Sequence, residues 1–169
     1  MKPVRKSVRT FLIKDKKVIA IRYTTNDYKQ DFYDIPGGGI EKDETAEQTA
    51  IREFKEEAGM EIINPKYAGN LIIEYPDRIF DMIIFITSEY NGNPKETLEN
   101  VAEAEWIEID ELLQKEKKFT EIYLLDTYHK TDLLNRTNFQ LHFIADSNHN
   151  KLDEIYYSND EKFWSEYLD

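Results

Sequence analysis

Short apolar runs separated by turn residues predict that much of the chain forms β-strands. Residues 8–13 and 17–23 flank Asp15 and Lys16, so they are expected to form a hairpin. A short strand at residues 32–35 should lead into a run of glycines. Similar patterns predict strands at residues 61–63, 67–75, 78–90, 106–109, 138–145 and 152–157.

One segment has the spacing of an amphipathic helix instead. Ala50, Phe54 and Ala58 recur at intervals of four residues, and Ile51 lies beside them on the same side. This apolar side is expected to face a hydrophobic core.

The ends of this helix are also marked in the sequence. Thr45 and Gln48, three residues later, match a capping box, so the helix is expected to begin near Ala46. Gly59 is a suitable residue to end it, because glycine readily adopts the left-handed conformation.

The region after residue 90 is expected to be less regular. Residues 95–105 are acidic and indicate a loop, Asp110 is a candidate cap for a helix at 111–117, and residues 122–134 indicate another helix. Strands mixed with helices predict an α/β protein with a mixed sheet. The length of 169 residues is typical of one domain, here residues 1–169.

Charge and composition restrict the partners. The net charge is −12 and no basic stripe is visible, so binding to a nucleic-acid polymer is not expected. A small phosphate ligand that carries its own metal remains compatible with this charge. The absence of cysteine excludes disulfides and fits a reducing, cytoplasmic location. No signal peptide or membrane-spanning segment is expected.

The polar face of the predicted helix carries an unusual charge cluster. Arg52, Glu53, Glu56 and Glu57 fall within an arc of about 140° at helical spacing. Like charges three or four residues apart destabilise a helix, so a divalent cation among the carboxylates would explain the pattern. Oxygen ligands suit Mg²⁺ or Mn²⁺.

The glycines before the helix complete a known motif. Gly38, Glu44 and the segment from Arg52 to Met60 resemble the Nudix box, at residues 38–60, and all its fixed positions are filled. Phe54 is a less usual choice at one of its hydrophobic positions. The resemblance implies a Nudix-type α/β/α sandwich with a mixed sheet, in which the box forms a loop-helix-loop.

The same resemblance implies roles for the box residues. Glu56 and Glu57 are expected to bind the metal, Mg²⁺ or Mn²⁺, and Glu53 is expected to be a ligand or the general base. A backbone carbonyl of Gly37 or Gly38 often completes the metal site in this family.

Residues that support the metal site are less firmly indicated. Arg52 is expected to hold the cluster in place through an ion pair with Glu44, although an ordinary surface pair would explain these two residues alone. Many Nudix enzymes add an acidic loop residue, and here Glu99 is favoured, with Glu103 second. The candidates in that loop are Glu96, Glu99, Glu103 and Glu105.

The order of elements after the box resembles MutT-like nucleoside triphosphatases. In such proteins a polar residue before the glycines contacts the base, and Asp34 occupies that place. A carboxamide is found there in the relative considered, so an aspartate changes the hydrogen-bond pattern. Thr120 and Glu121 match the relative's pair of base-reading aspartates poorly.

Aromatic residues near Asp34 are candidates for stacking on a base. Tyr33, Tyr23 and Phe32 have this potential, although each is more often a core or sheet residue. Pro76 is a competing signal, since ADP-ribose-cleaving relatives tend to have a proline near this position. A proline that ends a strand explains it equally well.

The sequence therefore predicts a Mg²⁺- or Mn²⁺-dependent hydrolase that acts on a small-molecule nucleotide. The expected reaction cleaves a nucleoside triphosphate, such as the oxidised purine nucleotide 8-oxo-dGTP, to the monophosphate and pyrophosphate. The alternatives are an ADP-ribose or nucleotide-sugar pyrophosphatase and a non-catalytic nucleotide sensor. The protein is expected to be a monomer or a homodimer.

Overall fold

The structure is a computed structural model that describes residues 1–24, 32–95, 102–126 and 138–157. Its strands in this part of the chain are β1 Val4–Lys14, β2 Lys17–Tyr23, β3 Phe32–Asp34, β4 Gly37–Gly39, β5 Glu61–Ile63, β6 Lys66–Glu74, β7 Ile79–Thr87, β8 Glu89–Asn91, β9 Ala102–Glu108, β10 Phe139–Ala145 and β11 Lys151–Tyr157. Its helices there are α1 Ala46–Ala58, α2 Ile109–Leu113 and a 3₁₀ helix, Thr120–Tyr123.

Nine of these strands form one mixed sheet, in the order β11-β10-β6-β7-β1-β2-β3, with β4 paired to β1 and β9 paired to β2. Strand β1 is parallel to β7 and antiparallel to β4. Strands β1 and β2 pair only beside their turn, at Ile13 with Val18 and Lys14 with Lys17. The two halves of the sheet are therefore joined at this turn. Further along, β1 and β2 are not paired with each other, and we call the region between them the cleft. The predicted α/β fold with a mixed sheet is confirmed.

Helix α1 packs its apolar side on the sheet as predicted. Ala50, Phe54 and Ala58 are almost fully buried, together with Leu12 and Ile21 of the sheet. A second core on the other side combines the inner faces of β6 and β10 with α2 and the 3₁₀ helix. The polar side of α1 is consequently left for the cleft.

The predicted ends of α1 are confirmed. The Thr45 hydroxyl accepts a hydrogen bond from the Gln48 amide at 3.1 Å, and the Gln48 side chain accepts one from the Thr45 amide at 2.9 Å. Gly59 has a φ of 70° and donates its N–H to the Lys55 carbonyl at 3.0 Å. These contacts fix the start of the helix directly after the glycine-rich loop.

Three predictions after residue 90 need correction. The expected loop at 95–105 is partly wrong, because β9 begins at Ala102 and pairs with β2 over its whole length. Its small buried alanines and charged neighbours conceal the strand pattern. Helix α2 begins at Ile109, with Glu108 and not Asp110 at its N-cap. The helix expected at 122–134 starts as a 3₁₀ turn at Thr120, and residues 127–134 lie outside the described part of the chain.

The other predicted strands are confirmed with small changes. Asp15 and Lys16 both have positive φ, 52° and 64°, which makes the tight turn between β1 and β2. Ser88 divides the segment predicted at 78–90 into β7 and β8. Among the helices that the structure describes, none is long and apolar enough to cross a membrane.

Candidate active site

The glycine-rich loop lies directly against the carboxylates of α1. A Cβ atom on Gly38 would overlap the Glu53 carboxylate, and one on Gly37 would overlap the Val8 carbonyl and the Arg9 side chain. Glycine is therefore required at position 37, where backbone would be in the way, and at position 38 it lets the Glu53 carboxylate lie against the loop. The pairing of β4 with β1 holds the loop in this position.

The three glutamates of the acidic face of α1, Glu53, Glu56 and Glu57, have different contacts. Glu57 is half-buried and its Oε2 accepts a hydrogen bond from the Gly37 amide at 3.1 Å. Glu53 lies against Gly38, whereas Glu56 is exposed. The structure thus brings these carboxylates, Gly37 and Gly38 together.

Arg52 ties the helix to the loop. Its guanidinium makes two hydrogen bonds to Glu44, at 2.7 and 2.9 Å, and one to Glu53 at 3.0 Å. It also reaches Glu56 at 3.3 Å and the Gly39 carbonyl at 3.3 Å. The hydrogen bonds from Arg52 and Thr49 lower the pKa of Glu44 to about 2. Arg52 and Glu44 are therefore part of a network and not an isolated surface pair.

Burial makes two of these carboxyl groups hard to ionise. It raises the pKa of Glu57 to about 8, although the Gly37 amide acts in the opposite direction. Burial also raises the pKa of Glu53, and Arg52 opposes that shift. A nearby cation would offset this cost of ionisation.

The oxygen atoms of this site are of the kind that bind a hard divalent cation. They are carboxylate oxygens next to backbone carbonyls, which Mg²⁺ and Mn²⁺ accept as ligands. In the described ranges no three acidic or histidine side chains already stand at coordinating positions. Arg52 contacts Glu53 and Glu56, and the Gly37 amide contacts Glu57. A cation would replace these contacts.

A second group of charged residues lies beside this face. We call Arg9, Asp34 and Glu121 the inner charged cluster. Glu121 is 1% exposed, and its carboxyl group lies next to that of Asp34. Burial, followed by the charge of Asp34 and a hydrogen bond with it, raises the pKa of Glu121 well above its usual range. The nearest cation is Arg9, whose Nε lies 3.4 Å from Oε1 of Glu121.

Sequence reasoning missed Arg9 and undervalued Glu121. Arg9 interrupts the apolar run of β1, and a charged residue within a buried strand is the signal that was available. Glu121 belongs to a 3₁₀ turn whose orientation depends on the packing of distant segments. Its position next to Asp34 could not be read from spacing along the chain.

The three predicted substrate residues do not all lie together. Tyr23 pairs with Phe32, and Ile21 pairs with Asp34, so Tyr23 and Asp34 share one face of the β2–β3 pair. Tyr23 is half-buried, and burial and the charge of Asp34 raise its pKa. Tyr33 points to the opposite face, is 4% exposed and belongs to the core.

Two of the four acidic candidates, Glu103 and Glu105, lie within β9 and not in a loop before it. Glu99 and Glu96 lie outside the described residues. Glu103 lies 2.6 Å from the Arg22 guanidinium on β2, and Glu105 lies 3.9 Å from it. The Glu103 side chain is therefore engaged in an ion pair in this structure.

An aromatic cluster stands next to the inner charged cluster. It consists of Phe32, Tyr75, Phe119 and His149, whose rings make edge-to-face contacts at 4.7 to 5.7 Å. The Tyr75 hydroxyl lies 2.8 Å from the Thr120 hydroxyl, directly before Glu121. The cluster therefore supplies an apolar wall beside buried carboxyl groups.

The mixed sheet thus places the acidic face of α1 behind a glycine-rich turn. The family model described as NUDIX domain matches residues 3–128, and the chain belongs to this family of hydrolases. Nudix hydrolases generally need divalent cations and act on small nucleotide substrates.

Curated relatives share limited stretches with the chain. The NAD-capped RNA hydrolase NudC of Vibrio vulnificus is 32% identical over 85 residues, which is 50% of this chain and 32% of that protein. The 8-oxo-dGTP diphosphatase of Proteus vulgaris is 31% identical over 61 residues, 36% of this chain and 54% of that protein. The chain thus spans about a third to a half of these relatives.

Solved structures resemble the whole fold. The mutator MutT protein from Bacillus halodurans has a TM-score of 0.71 at 18% identity, covering 94% of this chain and 99% of that chain. The MutT protein from Methanosarcina mazei has a TM-score of 0.61 at 24% identity. The match covers 80% of this chain and 98% of that chain. At these identities the likeness concerns the fold alone.

Proposed function

We propose that the enzyme hydrolyses a purine nucleoside triphosphate to the monophosphate and pyrophosphate, with Mg²⁺ or Mn²⁺. The observation that carries this proposal is the inner charged cluster, which sets buried carboxyl groups beside the acidic face of α1. The base would bind at the cluster and the phosphates at the helix. A small nucleotide also suits the net charge of −12. The absence of cysteine supports a cytoplasmic location.

The metal-binding residues in this proposal are Glu53, Glu56 and Glu57, with a carbonyl of Gly37 or Gly38. A bound divalent cation would neutralise phosphate charge and make a water molecule more acidic. Within the protein, the Gly37 amide orients Glu57 by its 3.1 Å hydrogen bond.

Glu53 is our candidate for the base that accepts the proton of the attacking water. Its carboxylate lies against Gly38 and is held by Arg52 at 3.0 Å, so it has one orientation in the cleft. Burial raises its pKa, which makes it a better proton acceptor than an exposed glutamate. Arg52 therefore positions this group, and Glu44 positions Arg52. Glu99 remains our candidate for the additional acidic residue at the metal site.

Base recognition is assigned to Asp34 and Glu121, with Tyr23 as the stacking residue. The neighbouring carboxyl groups of Asp34 and Glu121 would accept hydrogen bonds from the N–H groups on the edge of a purine. An oxidised purine such as 8-oxo-dGTP is the favoured substrate, since the diphosphatase relatives act on 8-oxo-dGTP according to their names. Tyr33 is less suited to stacking because it faces the core.

Steady-state kinetics on 8-oxo-dGTP, dGTP, dATP and ADP-ribose test the proposal. We expect the triphosphates to be hydrolysed, all turnover to stop in excess chelator, and activity to return with Mg²⁺ or Mn²⁺. Asp34→Ala should change kcat/KM unequally among the purines, by about 10-fold or more for the preferred one. Asp153→Ala, an exposed change on β11, is the control. Full activity in chelator would contradict the mechanism.

Hydrolysis of a dinucleotide is the second candidate. The NudC relatives are named for NAD-capped RNA, and Pro76 lies where ADP-ribose-cleaving enzymes tend to have a proline. In the structure Pro76 belongs to a tight turn closed by the Tyr75 amide and the Arg78 carbonyl at 2.8 Å, which accounts for it without a substrate. Adding NAD to the substrate panel separates the two candidates. A dinucleotide hydrolase would have a higher kcat/KM for ADP-ribose and NAD than for any of the triphosphates.

A further inference from the structure

Arg9 is a buried cation that the catalytic scheme above does not use. Its side chain is 15% exposed and lies within the cleft, where Nε is 3.4 Å from the Glu121 carboxylate. Burial opposes its charge, but Asp34, Glu121 and Glu57 outweigh burial and raise the pKa of Arg9. Glu121 is therefore in contact with this guanidinium, and the charges of Asp34 and Glu57 act on it from nearby.

The same side chain also touches the glycine turn. Arg9 is the partner of Gly37 in the pairing of β1 with β4, and its Nη1 and Cδ atoms occupy the space next to the Gly37 Cα. The Gly37 amide in turn donates to Glu57 at 3.1 Å. The Arg9 guanidinium therefore contacts Glu121 on one side. On its other side it contacts the Gly37 turn, whose amide orients Glu57.

We propose that Arg9 is a positioning residue that connects the recognition of the base to the metal-binding loop. It fixes the direction of the Glu121 carboxylate and supports the Gly37 turn that orients Glu57. This role rests on the proposed function, since it takes Glu121 as the base-binding group and Glu57 as a metal ligand. A lysine would preserve the charge but not the flat surface, so it should not restore the role.

Two measurements report the two ends of this connection. The Mn²⁺ dissociation constant of the substrate-free protein, obtained by electron paramagnetic resonance, reports the Gly37 end. The ratio of kcat/KM for dGTP to that for deoxyribose triphosphate, which lacks the base, reports the Glu121 end. A residue needed only for folding would lower Tm without changing this ratio.

The variants are Arg9→Lys, Arg9→Gln, Glu121→Gln and the double variant Arg9→Gln/Glu121→Gln. Arg9→Gln alone could fail to fold, because it leaves the charge of Glu121 buried without a cation. The double variant removes both charges and should then provide a folded protein. Arg5→Gln is the control, because Arg5 is exposed on the same strand.

We expect Arg9→Lys to weaken Mn²⁺ binding about tenfold and to lower the base-dependent ratio about tenfold. Glu121→Gln should lower the ratio but leave Mn²⁺ binding unchanged, and Arg5→Gln should change neither. The double variant should show both losses. The connection is overturned if Arg9→Lys changes only one of the two quantities or neither of them.

The outcome for Arg9 is separable from the outcome for the proposed function. If the wild-type protein hydrolyses neither compound, the proposed triphosphate hydrolysis is wrong. The base-dependent ratio is then taken from dissociation constants for the two compounds with Mn²⁺. Parallel losses in that ratio and in Mn²⁺ binding would still support the connection, and any other pattern would reject it.

Discussion

The acidic face of α1 and the inner charged cluster are neighbouring charged regions with different origins. The residues of the first lie within five positions of one helix, from Glu53 to Glu57, and are half-buried or exposed. Those of the second come from β1, β3 and the 3₁₀ helix and are largely buried. Local spacing therefore defines the first, whereas only the complete fold defines the second.

This difference has an energetic side. Arg52 provides strong hydrogen bonds to the carboxylates around α1, while Glu121 is almost fully buried beside Asp34, with Nε of Arg9 3.4 Å from its Oε1. Burial of neighbouring carboxyl groups disfavours their ionised forms. The helix face is thus compatible with stability before any ligand binds, and the inner cluster is the region where the hydrogen-bond donors of a substrate would stabilise the ionised carboxylates.

The largest expected effect concerns the side of α1 opposite to the carboxylates. Phe54 is fully buried, so Phe54→Ala should lower the free energy of unfolding by about 3–5 kcal/mol. Urea unfolding measures this, with Lys55→Ala as the exposed control on the same helix. A silent Phe54→Ala would mean that α1 is turned the other way.

Glu57→Gln should separate activity from stability. Losing a metal-binding carboxylate removes several kcal/mol of charge stabilisation, so kcat should fall about 10²–10³-fold. The melting temperature should change little, because the side chain faces the cleft. Glu47→Gln, at an exposed position of the same helix, is the matched control for both measurements. Unfolding of Glu57→Gln would contradict the separation.

Glu121→Gln should have a smaller effect on stability than Phe54→Ala, in the same direction. The change leaves the Arg9 guanidinium, whose Nε lies 3.4 Å from Oε1 of Glu121, without this carboxylate, so the free energy of unfolding should fall by about 1–3 kcal/mol. Chemical denaturation at neutral pH measures the change, and Glu47→Gln again serves as the exposed control. Unchanged or increased stability would show that Glu121 is not needed to hold Arg9.

The last expected effect is a pH dependence that the metal opposes. Burial raises the pKa of Glu57 from its usual 4.5 to about 8, so the folded protein binds more protons there than the unfolded chain between these values. Metal-free stability should therefore decrease as pH rises through this window. Saturating Mg²⁺ should oppose the decrease, since it binds the ionised form. Thermal unfolding from pH 5 to 8, with and without Mg²⁺, measures both slopes.

The sequence predicted the parts of the fold that short-range patterns determine. The limits of α1 follow from Thr45, Gln48 and Gly59, and its buried side follows from the spacing of Ala50 and Phe54. The β1–β2 hairpin follows from two apolar runs and a short polar turn. In each case the deciding interactions lie within a few residues of one another.

The missed features depend on tertiary contacts. The first residues of β9 look like an acidic loop, and they form a strand because β2 offers an edge for pairing. Tyr33 and Asp34 are adjacent in sequence but lie on opposite faces of β3. Arg9 is part of the site because β1 pairs with the glycine loop, which no local pattern indicates.

The pairing of β1 has a consequence for synthesis of the protein. Val4 is the parallel partner of Ile79, so the outer half of β1 cannot complete its hydrogen bonds until β7 has left the ribosome. Until then only the hairpin with β2 and the pairing with β4 are available to it. Pairing between such distant segments is intrinsically slow and leaves strand edges open. The nascent chain should therefore depend most on chaperones until residues 79–87 have left the ribosome.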